Sequence, residues 1–145
     1  MRTALMAIVL AFTVAGCGGK SEAEKEREAA NGSGRGTVTC DGDAMSGKPA
    51  LPAGFPSIEG ITFVDSEQNG PTTVVDGYAS RGLDDVYDNV NSGFESAGYT
   101  VLSHEKEEDD AEVEYRTKDD SNEGQVALRS CDEDKTSVHI TVRPA

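Results

Sequence analysis

The sequence predicts an α+β fold: a two-layer domain in which a single helix packs on a mainly antiparallel sheet, in the order β-β-α-β-β-β. Three observations predict it. Apolar residues between Leu83 and Ala97 recur at helical spacing. Segments on both sides of that stretch alternate apolar and polar residues with a period of two. Clusters rich in Gly, Asn and Asp separate those segments. A period of two marks a strand with one buried and one wet face, and a period near 3.6 marks an amphipathic helix.

The first strand signal runs from Ile58 to Asp65, with Ile61 and Phe63 on one face. Asn69-Gly70-Pro71 reads as a turn, and Thr72 to Ala79 is a β-branched run. Ser80 is placed to cap a helix, with Asp84 and Asp85 near its positive N-terminal end. Leu83, Val86, Tyr87, Val90, Phe94 and Ala97 then follow at offsets of 3, 4, 7, 11 and 14 from Leu83, a single apolar stripe. Gly98 suits the left-handed position that ends such a helix.

Four period-two signals follow, and the expected order credits them with three strands. Tyr99 to His104 places Tyr99 and Val101 on one face. Ala111 to Thr117 alternates Ala111, Val113, Tyr115 and Thr117 against Glu112, Glu114 and Arg116. Gln125 to Cys131 aligns Val126 with Leu128, and Thr136 to Arg143 aligns Val138, Ile140 and Val142. Turns are expected at residues 118–124 and 132–134. The helix stripe is expected to bury Phe94 against Val113, Tyr115, Leu128 and Ile140.

The N-terminal part reads differently. Arg2 supplies a positive start, and Thr3 to Val14 is an uncharged, mainly apolar run of 12 residues. That length fits the core of an export signal and falls short of the ~20 residues that span a bilayer. Small residues and a cysteine follow. Val14-Ala15-Gly16-Cys17 resembles the lipobox of bacterial lipoproteins. The resemblance implies cleavage before Cys17, removal of residues 1–16, and acylation of Cys17. Two or more acyl chains hold a protein on a membrane stably, where one does not. Residues 17–36 are nearly devoid of apolar side chains and read as a flexible tether. Residues 37–145 form the expected globular domain.

Charge narrows the partners. The chain of 145 residues has 13 Lys+Arg against 27 Asp+Glu, a formal net charge of −14. Loss of the leader would remove one Arg. Such a surface excludes nucleic acid, which needs basic residues to displace its counterions, and it is repelled by anionic lipid. The membrane contact is therefore expected through the lipid alone, with the domain in the cell envelope facing outside the cytoplasm. Its expected partner is an envelope protein or a cell-wall component.

With Cys17 assigned to the anchor, Cys40 and Cys131 remain. An exported domain folds under oxidising conditions, so these two are expected to form a disulfide.

No catalytic motif is present: no serine lies in a Gly-x-Ser-x-Gly elbow, and no Gly-rich segment leads to the Gly-Lys-Ser/Thr of a phosphate loop. The expected catalytic, cofactor-binding and metal residues are none, and the domain is expected to be non-catalytic. The two histidines, His104 and His139, fall on the expected wet face with Glu112 and Glu114. The acids concentrate in Glu105–Glu114, Asp119–Glu123 and Asp132–Asp134. If Asp119 began an EF-hand loop, its twelfth position would be Ser130, where a bidentate Glu is required. The preferred reading is an acidic interaction module; the alternative is a binder of a small ligand or a cation such as calcium.

The lipobox reading makes a direct prediction. Cys17→Ser is expected to leave the protein unprocessed or free of the membrane fraction, with an unchanged folded domain. Cell fractionation with mass spectrometry of the mature N-terminus checks it; an unmodified N-terminus elsewhere would overturn it.

Overall fold

Alternating sequences pair where their apolar faces can be buried together, and all the strand pairings found here do so on one side. The structure, a computed structural model, describes residues 38–132 and 134–145. The expected leader, Cys17 and the tether lie outside the described residues. The elements are β1 (Ile61–Asn69), β2 (Thr72–Ala79), α1 (Leu83–Ala97), β3 (Thr100–Lys106), β4 (Asp110–Arg116), β5 (Asn122–Asp132) and β6 (Lys135–Pro144). The order is β-β-α-β-β-β-β, one strand more than expected, because each of the four alternating stretches after the helix is a separate strand.

The six strands make one antiparallel sheet in the spatial order β1-β2-β6-β5-β4-β3. Strands β3 to β6 form a meander, and α1 carries the chain from β2 across the sheet to β3 at the opposite edge. Helix α1 packs over β3, β4, β5 and β6.

The core lies between helix and sheet. Val86, Val90 and Phe94 of the helix are fully buried, as are Val75, Val113, Tyr115, Val126 and Ile140 of the sheet. The helix begins after Gly82, which makes no side-chain cap; Ser80 does not fill the capping role expected of it. The first turn keeps Asp84 and Asp85, whose charge suits the helix dipole. Gly98 closes the helix in the left-handed conformation at φ 76°, and the Tyr99 N–H returns to the Phe94 carbonyl at 3.0 Å.

The irregular segment before β1 adds to the same core. Ile58 is buried there, and Leu51 and Phe55 pack against the core. Phe55 meets Phe94 and Tyr115 edge-on, at centroid distances of 5.4 and 5.6 Å. The Asn89 side-chain carbonyl accepts the Glu59 N–H at 3.0 Å, pinning this segment to the helix. Arg81 donates to the Glu59 carbonyl from the other side.

Phe94 and Tyr115 stack nearly parallel, 4.5 Å between centroids with planes 19° apart. Tyr115 lies opposite Gly124 in the ladder, and its hydroxyl donates to the Thr141 carbonyl at 3.1 Å. A Cβ on Gly124 would come within 1.9 Å of that same carbonyl oxygen and 2.6 Å of the Tyr115 hydroxyl. Gly124 is therefore required here by close approach. Gly77 is its counterpart between β2 and β1, where a Cβ would meet the Thr62 carbonyl oxygen at 2.6 Å.

Cys40 and Cys131 form the expected disulfide, with Cα atoms 6.0 Å apart at a sequence separation of 91. Closing a loop of that length stabilises a domain by ~4–5 kcal/mol in the chain-entropy treatment.

Two substitutions test this packing. Phe94→Ala is expected to cost about 3–5 kcal/mol, because the ring is fully buried. Gly124→Ala is expected to cost about 3 kcal/mol, the upper end for overpacking. Denaturant unfolding of each variant measures both; a cost below about 1 kcal/mol for either would contradict the packing described.

Candidate interaction surface

The sheet face opposite the helix carries the charge. Strand alternation puts Glu112, Glu114 and Arg116 of β4 there, with Gln125 and Glu123 of β5 and His139, Thr141 and Arg143 of β6. Ladder register then assembles rows across strands. One row crosses all six: Asp65, Asp76, His139, Ala127, Glu112 and Glu105. Like charges face each other directly at both ends, Asp65 opposite Asp76 and Glu112 opposite Glu105, an arrangement that costs stability.

Compensation within this face is uneven. His139 Nδ1 lies 2.7 Å from an Asp76 carboxylate oxygen, with both side chains largely shielded. Two rows away, Glu123 accepts from Arg116 at 3.1 Å and from Arg143 at 3.0 Å. These hydrogen bonds, Arg116 first and Arg143 second, hold the Glu123 carboxyl below the usual range. Among the described residues, no ion pair reaches Glu105, Glu112 or Glu114. Glu112 is exposed overall, yet its pKa is raised. Partial desolvation of its carboxyl is the main cause, followed by the charges of Asp110, Glu105 and Glu114, while Gln125 donates a hydrogen bond that offsets part of the effect.

The two histidines part company. His139 keeps its expected outer position. His104 does not, and the expectation that both share the wet face is corrected. The β3–β4 register shifts between Val101 and Ser103, so Leu102 is an extra residue and the alternation changes phase. His104 then stands opposite Val113, on the helix side of the sheet, and its Nδ1 lies 2.8 Å from the Tyr87 hydroxyl. Lys106 follows it to that side, 2.9 Å from Asp84 and over the Tyr87 ring.

The acidic turns are closed on themselves. Asp119 accepts from the Ser121 hydroxyl at 2.7 Å, the Thr117 hydroxyl at 2.8 Å and the Ser121 N–H at 3.2 Å. These bonds, in the order Ser121 then Thr117 side chains and the Ser121 backbone, bring its pKa down to about 2. Asp132 accepts from the Asp134 N–H at 3.1 Å. Among the described residues, no group of three or more His, Cys, Asp or Glu is arranged to hold a metal ion. No helix among them is long and apolar enough to cross a membrane.

Cys40 and Cys131 are brought together as described; Cys17 lies outside the described residues. Comparison of the chain with protein families, with curated proteins and with solved structures finds no match.

Opposite pKa shifts give opposite pH signatures. Glu112 has a raised folded pKa, so its contribution is favourable when protonated and is lost as pH rises through that value. Glu112→Gln is therefore expected to be more stable than the parent at neutral pH, with the difference vanishing in acid. Asp119 has a lowered folded pKa, so its contribution is present above the unfolded value near 4 and lost as pH falls toward 2. Asp119→Asn is expected to be less stable at neutral pH, with the difference vanishing in acid. Thermal melts of both variants from pH 2 to 8 check the two signs.

Proposed function

We propose that this protein is a lipoprotein of the cell envelope, held by acyl groups on Cys17, and that its domain is a non-catalytic interaction module. Its acidic sheet face docks a partner that is basic at the contact surface. The observation that carries this reading is the row of Asp65, Asp76, His139, Ala127, Glu112 and Glu105, with like charges opposed at both ends. A basic partner would relieve that repulsion at the β3–β4 end, where Glu105 faces Glu112. A face with an excess of acids also attracts such a partner over distance and speeds encounter, an effect screened over about 8 Å at physiological salt.

The calcium alternative draws no support from the turn at Asp119, whose Oδ1 accepts from Thr117 and Ser121. An envelope protein or a cell-wall component bearing amino groups fits the charge of this face, whereas nucleic acid does not.

The test begins with affinity purification of the lipidated protein from its own envelope. The captured partner is expected to associate ~10-fold more slowly with the double variant Glu105→Gln, Glu112→Gln, and to slow further as salt rises. Calorimetric titration with calcium at moderate salt is expected to give no saturable heat. Stoichiometric calcium binding, or association insensitive to both salt and the double variant, would overturn the reading.

A further inference from the structure

The outer face is bare over β3 to β5 but not over β6, β2 and β1. The described chain begins as a strap there. The Thr39 N–H donates to the Ser137 hydroxyl at 3.0 Å, the Tyr78 hydroxyl donates to the Gly42 carbonyl at 3.2 Å, and the Met45 N–H donates to the Phe63 carbonyl at 2.8 Å. These contacts step across β6, β2 and β1 in that order. Beneath the strap, Ser137 is only 4% exposed although it points away from the core. Position 42 sits over Val64, the residue left out of the β1–β2 register.

The strap supplies nothing to the core. The buried cluster draws on Ile58 and later residues, and the earliest side chain packed against it is Leu51. Residues 41–44 are exposed. What fixes the strap covalently is the disulfide from Cys40 to Cys131, and Cys131 is itself skipped by the β5–β6 register between Ser130 and Asp132. The covalent link thus joins a segment outside the core to a bulge outside the ladder. Few buried apolar contacts and exposed backbone define a region that opens locally before the rest of a domain unfolds.

We infer that the Cys40–Cys131 disulfide is a redox latch: its reduction frees residues 38–45 from the outer sheet face while the helix-covered core stays folded. The step needs a dithiol reductant. One of its thiolates attacks Sγ of either cysteine, the S–S bond breaks, and a mixed disulfide forms. The reductant's second thiol then displaces the cysteine. Two cysteine thiols and an oxidised reductant result, and the two electrons come from the reductant. Release uncovers Ser137, Tyr78 and Val64 and extends the open face across the whole sheet. This inference stands on the strap and the disulfide alone, independently of the anchor and of any partner.

Hydrogen exchange of the full chain, oxidised and after treatment with dithiothreitol, tests it. In the reduced protein the amides of Thr39 and Met45 are expected to exchange at close to unprotected rates, at least ~10-fold faster than when oxidised. Amides of Val126, Val138 and Ile140 are expected to remain protected by at least ~100-fold, with a cooperative thermal transition retained. The double variant Cys40→Ser, Cys131→Ser is expected to match the reduced protein. Loss of strap and sheet protection together would overturn the latch, because the disulfide would then hold the whole fold. Strap amides as protected after reduction as before would overturn it equally, because the strap would not depend on the disulfide.

Discussion

A tyrosine lying across a glycine sets the geometry of this domain. Tyr115 is fully buried, and a buried phenol must place its hydroxyl on a partner. It does so by reaching past Gly124 on the neighbouring strand to the Thr141 carbonyl one strand further on. That reach ties β4, β5 and β6 at one point and burial pushes the hydroxyl's pKa far up, so the group stays a neutral donor. The flat ring then offers the helix a platform, and Phe94 stacks on it. Phe55 and Tyr99 close the remaining edges at 5.6 and 5.8 Å from the Tyr115 ring. The end of the helix, the start of β3 and the segment before β1 are thus all located by one side chain and the missing side chain opposite it.

This arrangement buries apolar surface on one face of the sheet only. The other face escapes the demands of packing and is free to carry charge. It is also free to be partly covered by a strap held through hydrogen bonds and a disulfide. The division follows from strand alternation, since a residue on the outer face can change without disturbing the side chains one position away.

Much of this was legible in the sequence because the alternation is strict where both neighbours agree. In β4, Ala111, Val113 and Tyr115 alternate with polar residues, as Val138, Ile140 and Val142 do in β6, and these apolar sets are buried as expected. The helix stripe and its Gly98 terminator were equally plain. Other features depend on long-range contact and leave no local mark. The extra residue at Leu102 breaks the period in β3, so His104 was expected on the wrong side; an isolated exposed leucine in a strand edge is the only trace of it. Ser80 has the chemistry of a cap, yet the chain turns into the helix after Gly82. Gly124 reads as part of a turn, because nothing local says that Tyr115 will cross it. Phe55 lies among prolines and glycines, a loop composition, and its partners Phe94 and Tyr115 are distant in sequence. All four alternating stretches after the helix were marked in the sequence, and the expected order counted three strands from them where four form.

Two glutamates on the outer face distinguish structural acids from costly ones. Glu123 sits between Arg116 and Arg143, which stabilise its charge and lower its pKa. Glu112 stands on the adjacent strand of the same face, opposite Glu105, and its surroundings raise its pKa. Both stand at outer-face strand positions, so shape does not separate them. The first acid strengthens the sheet at the end where β4, β5 and β6 converge. The second makes the sheet less stable at neutral pH than a neutral side chain of the same size would. A fold with a single apolar layer has little stability in reserve, so a like-charge pair on its surface is costly. Placed at the open side of the sheet, beyond the reach of the strap, Glu112 and Glu105 are positioned to gain from an external cation what Glu123 already gains from within.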